Sequence, residues 1–307
     1  MKYCISRNAD EIFGSTKSDV DLVVQPEAMA DIEKLLDIEA QLHGYRQIAR
    51  IEFTNLCLVY WAPGSELVRI DLDGELRWYC FEIADALTLL EGAAERDGVA
   101  VISLRSEWFV MADRLAWQGS LPPRYKNRVA QLLQEEEKLP DPQGSNFRKF
   151  LNREDSRGLR RYLIFRTLFS PRMNIRAVCH GWHDFGRVIR RFLSPPGVFL
   201  RVTGAGDMVD WNELFGKMSM AFPEAKCVRL GASPLRGLIG LFRGGLVVAD
   251  RDHPFAACLC ELFSSRRRRF RVASTSHADH SDLIIPPSSD RAAAFADVLA
   301  AAILAKR

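Results

Sequence analysis

The sequence has no apolar run of the roughly eighteen residues a membrane-spanning helix needs. Its first twenty residues carry Asp10, Glu11 and Asp19 where a secretory leader would be apolar. It has no internal repeat and no low-complexity tract beyond the short run 266–269. Its seven cysteines are an odd, scattered set in mostly apolar settings, which excludes a disulfide framework and points to reduced thiols and a cytoplasmic address. What is present fits a globular chain: 307 residues, 48% apolar and 26% charged, enough for one large domain or two ordinary ones.

Charge is distributed unevenly. Residues 1–141 hold 15 basic against 25 acidic side chains, a net of −10. Residues 142–194 hold 12 against 3, and residues 195–307 hold 15 against 11. Stretches of linker composition at 139–146 and 194–197 lie near both steps. The expected organisation is an acidic first domain (1–141), a basic helical connector (142–194) and a smaller third segment (195–307).

In the first domain, short apolar segments at 3–6, 19–24, 55–61 and 67–72 read as strands, with a helix from Pro26 to about Leu42. The expected arrangement is α+β, with antiparallel strands under covering helices. Further helices are expected at 84–96, 105–118 and 124–138. In Asp19-Val20-Asp21 the strand period of two puts both carboxylates on one face. The same alternation sets Asp71 and Asp73 together, with Val68, Ile70 and Leu72 toward the core. Such a cluster suits a hard divalent cation, which takes oxygen ligands and substrate phosphates. It also fits two solvated strand faces.

The order of these elements resembles the nucleotidyltransferase fold shared by DNA polymerase β, aminoglycoside nucleotidyltransferases and minimal nucleotidyltransferases. In that family a glycine-serine turn precedes a D-h-D-h strand, and a third carboxylate follows on a later h-D-h strand. Asp19-Val20-Asp21-Leu22 matches the first pattern and Ile70-Asp71-Leu72 the second, over residues 2–140. The resemblance implies that Asp19, Asp21 and Asp71 hold Mg²⁺ or Mn²⁺ and carry catalysis. Gly14-Ser15 lies too close to Asp19 to be the turn; the position with the right spacing is Ser6-Arg7-Asn8, which departs from the family's small residues. Ser6, Arg7, Asn8 and Lys17 are the expected nucleotide contacts.

Residues 156–169 and 172–193 read as two amphipathic helices rich in arginine. Through residues 148–193 the chain could meet nucleic acid, an acidic membrane surface or its own acidic first domain. Cys179-His180-Gly181-Trp182-His183 lacks a second ligand pair at zinc spacing, which argues against a metal there.

The third segment runs from a strand at 198–202 into Gly204-Ala205-Gly206 and a helix at 211–221. The P-loop Lys and Ser/Thr are absent, and a dinucleotide turn would need a third glycine. As a whole the segment resembles a degenerate thymidylate-kinase-like P-loop domain. Pro196-Gly197 stands before the glycine turn, residues 244–251 end in Asp250-Arg251, and residues 265–271 are arginine-rich. The resemblance implies an α/β fold with weak phosphate contacts from Gly204, Gly206 and Arg251, and a pseudokinase, since the Lys that supports phosphoryl transfer is missing. The two-domain pairing also resembles a group of bacterial proteins associated with surface-glycan genes.

The expected function is Mg²⁺-dependent transfer of NMP from an NTP to a hydroxyl or phosphate acceptor, in surface-glycan metabolism if the last resemblance holds. The alternatives are a decayed nucleotide-sensing or scaffolding protein with protein partners, and a nucleic-acid-binding protein.

Overall fold

A computed structural model describes residues 3–7, 20–52, 54–62, 68–96, 98–136, 145–193, 195, 197–203, 228–230, 234–249, 254–264, 269–274, 283–285 and 299. The chain is mixed α/β and divides into two compact units. One comprises residues 1–36, 52–57 and 70–185; the other comprises 37–51, 58–69 and 186–307.

The chain opens with β1 (Tyr3–Arg7) and β2 (Val20–Val24). A 3-10 turn at Pro26–Ala28 leads into α1 (Met29–Leu42), Pro26 standing at a helix start where a missing N–H costs nothing. Then come β3 (Arg46–Glu52), β4 (Leu56–Trp61), β5 (Val68–Asp73) and the hairpin β6 (Glu75–Trp78) with β7 (Phe81–Asp85). A short α2 (Ala86–Leu90), β8 (Ala94–Arg96) and β9 (Val99–Val101) follow. The strands β3-β4-β5-β2-β1-β9-β8 form one sheet in that order.

That sheet is mixed, not antiparallel as the sequence suggested. β1 runs antiparallel to β2, but β2 is parallel to β5 and β1 is parallel to β9. A parallel neighbour needs a long crossover, and α1 with the two strands after it supplies one between β2 and β5. The single helix expected at 84–96 is also replaced. Asp85 caps α2 at its start, accepting from the Thr88 amide at 2.9 Å, and Gly92, at φ 72°, turns the chain into β8.

The helical layer comprises α3 (Leu104–Gln118), α4 (Pro123–Glu136), α5 (Ser145–Asn152), α6 (Ser156–Leu168) and α7 (Pro171–Leu193). Ser103 caps α3 at its start and Gly119, left-handed at φ 79°, at its end. The apolar positions read at helical spacing point inward: Trp108, Met111 and Leu115 from α3, and Val129 and Leu132 from α4. Phe147 and Leu151 of α5 and Leu159 and Leu163 of α6 belong to this same core. The stretch of linker composition therefore ends inside α5, and its first residues lie outside the described ones.

In the second unit β10 (Val198–Thr203), β11 (Val228–Arg229), α8 (Pro234–Phe242), β12 (Leu246–Ala249), α9 (Pro254–Phe263), β13 (Arg269–Ser274) and β14 (Leu283–Ile285) build an all-parallel sheet. Its order is β11-β12-β10-β13-β14. Strands buried on both faces read as continuous apolar runs, as Val198–Leu200 and Leu246–Val248 do. Gly197 lies so close to α8 that an added Cβ would stand 2.6 Å from the Leu241 Cα.

Candidate active site

Two of the three carboxylates expected to bind metal come together. In the β2–β5 register Asp21 is directly opposite Asp71, and Leu22 is opposite Leu72. Register partners in a parallel pair share a face, and adjacent strands lie about 4.8 Å apart. Asp21 and Asp71 are therefore side by side, and both are buried, at 3% and 4% exposure. Asp73 lies one pleat further along the same face, opposite Val23, and is also buried. The reading of two solvated faces is thus excluded. Buried carboxylates lose their hydration, so each needs polar or charged partners.

The turn expected to meet phosphate begins beside this pair. The β1–β2 register shifts between Ile5 and Arg7, so that Arg7 is opposite Asp21 and Ser6 occupies the irregularity. Ser6 is buried, and its hydroxyl donates to the Asp21 carbonyl at 3.2 Å. Arg7 is the last residue of β1. Asn8, Lys17 and Asp19 lie outside the described residues, as do Gly204, Gly206 and Arg251.

A second polar cluster, unforeseen in the sequence, joins the β6–β7 hairpin to α7. Ligand atoms of Glu75, Glu82 and His180 lie within 4.8 Å of one another, a group that could hold a metal ion. The sequence around His180 lacks a ligand pair at zinc spacing, and the hairpin brings two carboxylates to it from about a hundred residues away. His180 Nε2 lies 3.2 Å from Glu75 Oε2. Guanidiniums already engage the same carboxylates: Arg77 Nε is 3.1 Å from Glu75, and Arg176 donates to Glu82 at 2.5 Å. A cation bound there would sit against two fixed positive charges, which weakens the site for metal.

Arg176 and His180 of α7 therefore face the acidic hairpin. Arg77, 4% exposed, donates two bonds to the Asp184 carboxylate, at 2.9 and 3.0 Å. Burial pushes the Asp85 carboxyl up, but the Thr88 hydroxyl and amide together with the Arg176 guanidinium more than reverse this and hold it below its ordinary value. Arg176 is in turn raised, chiefly by its bond to Glu82. From α6, Arg160 donates through Nε and Nη2 to the Ala116 carbonyl in the last turn of α3, and Arg166 donates to the Glu82 carbonyl.

In the second unit β10, β12 and β13 run side by side with their carboxyl ends together: Arg201 is opposite Ala249 and Thr203 is opposite Ala273. Chain order reverses direction across the sheet at β10, and open parallel sheets bind ligands beyond the strand ends at such a switch point. Gly204 follows directly on β10 in sequence, and Asp250-Arg251 directly on β12. Asp37, Gln41, Gly44, Tyr45, Arg46 and Gln47 line an open cavity of about 540 Å³, and none of the residues expected to be functional is among them.

Comparisons with protein-family models, with curated proteins and with solved structures found no match. Among the described residues no helix is long and apolar enough to cross a membrane.

Proposed function

We propose that the first unit is a divalent-metal-dependent nucleotidyltransferase, moving NMP from an NTP to a hydroxyl or phosphate acceptor. The observation that carries this reading is the buried, register-matched pair Asp21 and Asp71. Two carboxylates fixed on adjacent strands give a rigid oxygen ligand set, and Asp19, outside the described residues, is the third ligand that the sequence pattern offers. Mg²⁺ or Mn²⁺ bound there would supply Lewis-acid stabilisation of the charge developing on the phosphoryl and leaving oxygens. The chain's own part is to hold the metal ligands rigid, to accept the acceptor's proton at Asp71, and to present Ser6, Arg7, Asn8 and Lys17 to the triphosphate.

Calorimetric titration of Mg²⁺ with ATP, CTP, GTP and UTP tests this on the wild type, Asp21→Asn and Asp71→Asn. Metal-dependent binding in the wild type that both variants lose, with unchanged far-UV circular dichroism, supports the assignment. Transfer should fall about 10²-fold or more when one group that serves the developing charge is removed. Binding that survives both substitutions overturns it.

A second reading is favoured by the strand ends of the all-parallel sheet. Nucleotide bound at the switch point beyond β10 would make the chain a nucleotide-sensing partner of other proteins, without phosphoryl transfer. Binding that persists in Asp21→Asn and is lost in Arg251→Ala would favour it. Nucleic-acid binding through residues 148–193 is less well supported, because Arg160, Arg166 and Arg176 have protein partners.

A further inference from the structure

The helix α7 is turned inside out. None of its 23 residues is buried, and the side it turns toward the first unit is its polar one, through Arg176, His180 and Asp184. The apolar side faces outward. Ile175, Val178, Trp182 and Phe185 follow one another at intervals of three, four and three, the spacing of a single helical stripe, and are 67%, 67%, 76% and 56% exposed. Just before α7 in the chain, Phe165, Leu168 and Phe169 are exposed as well. An ordinary surface scatters single apolar side chains; a stripe of this length with two large aromatics marks a place where something docks.

Charge indicates what docks. Of the six arginines in residues 156–185, Arg160, Arg166 and Arg176 bond to protein partners, so Arg157, Arg161 and Arg172 carry the outward charge, and the one carboxylate, Asp184, is held by Arg77. Arg157 and Arg161 are exposed on the face of α6 that leads to Phe165, and Arg172, in the first turn of α7, is 76% exposed although one Nη lies 4.0 Å from the Asp85 carboxylate. An apolar, aromatic stripe bordered by arginines is the composition of a helix lying in the headgroup layer of an anionic bilayer, where rings enter the acyl boundary and guanidiniums meet phosphate. A second copy of the chain would bring two arginine-rich rims together with no free carboxylate to pair them. A nucleic acid would leave the apolar stripe unused.

We propose that the outward face of α7, with the end of α6, seats this protein on an anionic lipid surface, with Trp182 and Phe185 inserted and Arg161 and Arg172 at the headgroups. The Arg77–Asp184 and Arg176–Glu82 ion pairs, with His180 beside Glu75, hold the helix polar side in, so the apolar stripe is presented without any rearrangement.

Flotation of the full chain with vesicles tests this. The wild type is expected to float with phosphatidylcholine vesicles containing phosphatidylglycerol, and to float far less with phosphatidylcholine alone. Trp182→Ser/Phe185→Ser, at exposed positions that leave the fold intact, should reduce partitioning about tenfold or more. Arg161→Gln/Arg172→Gln should reduce it for the anionic vesicles and flatten its salt dependence. Absence of flotation with anionic vesicles overturns the proposal, as does equal flotation by the Trp182→Ser/Phe185→Ser chain. So does a dimer in sedimentation that this variant abolishes while vesicles are ignored, which would assign the stripe to a second copy.

Discussion

Arg77 and Asp184 are 107 residues apart in sequence and share two hydrogen bonds, 2.9 and 3.0 Å long. One comes from the β6–β7 hairpin and the other from the middle of α7, and the guanidinium also lies 3.1 Å from Glu75. Paired forks of this kind are among the stronger polar contacts a protein makes. Their importance lies less in net stabilisation than in the cost of leaving one partner alone.

Arg77→Met should therefore destabilise the protein by about 3 kcal/mol, the low end of the range for breaking a buried pair. The low end applies because Asp184 and Glu75 remain about a quarter exposed. Denaturant unfolding measures this directly. The double variant Arg77→Met/Asp184→Leu should recover part of the loss, because the Asp184 charge is then no longer stranded, while Glu75 still lacks its guanidinium.

Asp85 predicts a dependence on acid. Its carboxyl is held below the ordinary value by Thr88 and Arg176, which prevail over burial. A depressed folded-state value means the contribution is present at neutral pH and is lost as pH falls through that value. The stability gap between wild type and Asp85→Asn should be constant from pH 7 to about 5 and should close below about 4. Thermal melts across that range measure the gap; one that widens in acid would contradict the assignment.

Four of the described thiols fall into two reactivity classes. Burial pushes Cys4 up to about 12 and Cys260 up to about 11, while Cys179 and Cys258 are exposed. Iodoacetamide at pH 8.5 should modify Cys179 and Cys258 within minutes and spare Cys4 and Cys260 until the chain unfolds. Peptide mapping by mass spectrometry distinguishes the two. Because the folded-state values are raised, the stability these thiols contribute is intact below the ordinary cysteine range and declines as pH climbs past it.

Much of the first unit was legible because its signals are local. The apolar alternation around Asp21 and Asp71 identified both strands, and the two arginine-rich helices were bounded within a few residues of α6 and α7. The parallel pairing of β2 with β5 was not legible, since alternation says which face a residue takes and nothing about the neighbouring strand. The helix expected at 84–96 failed because Asp85 reads equally well as a helical position and as the cap that starts a short one. For α7 the amphipathic pattern was plain, and its own acidic first domain was one of the three partners the sequence left open. The choice among them was not legible, because the carboxylates of Glu75, Glu82 and Asp85 that face Arg176 and His180 lie some ninety residues earlier in the sequence.

The net charge changes sign near residue 142, but the hydrophobic core does not stop there, since Phe147, Leu151, Leu159 and Leu163 complete it. During synthesis, a nascent chain that has reached the charge step would still present the inner faces of α3 and α4 without a cover. The first unit can close only when α6 has left the ribosome, and Glu82 and Asp85 meet the Arg176 guanidinium only when α7 follows. The basic stretch is thus the last piece of the acidic unit to arrive, and a ribosome stalled between the two would hold an open, aggregation-prone intermediate.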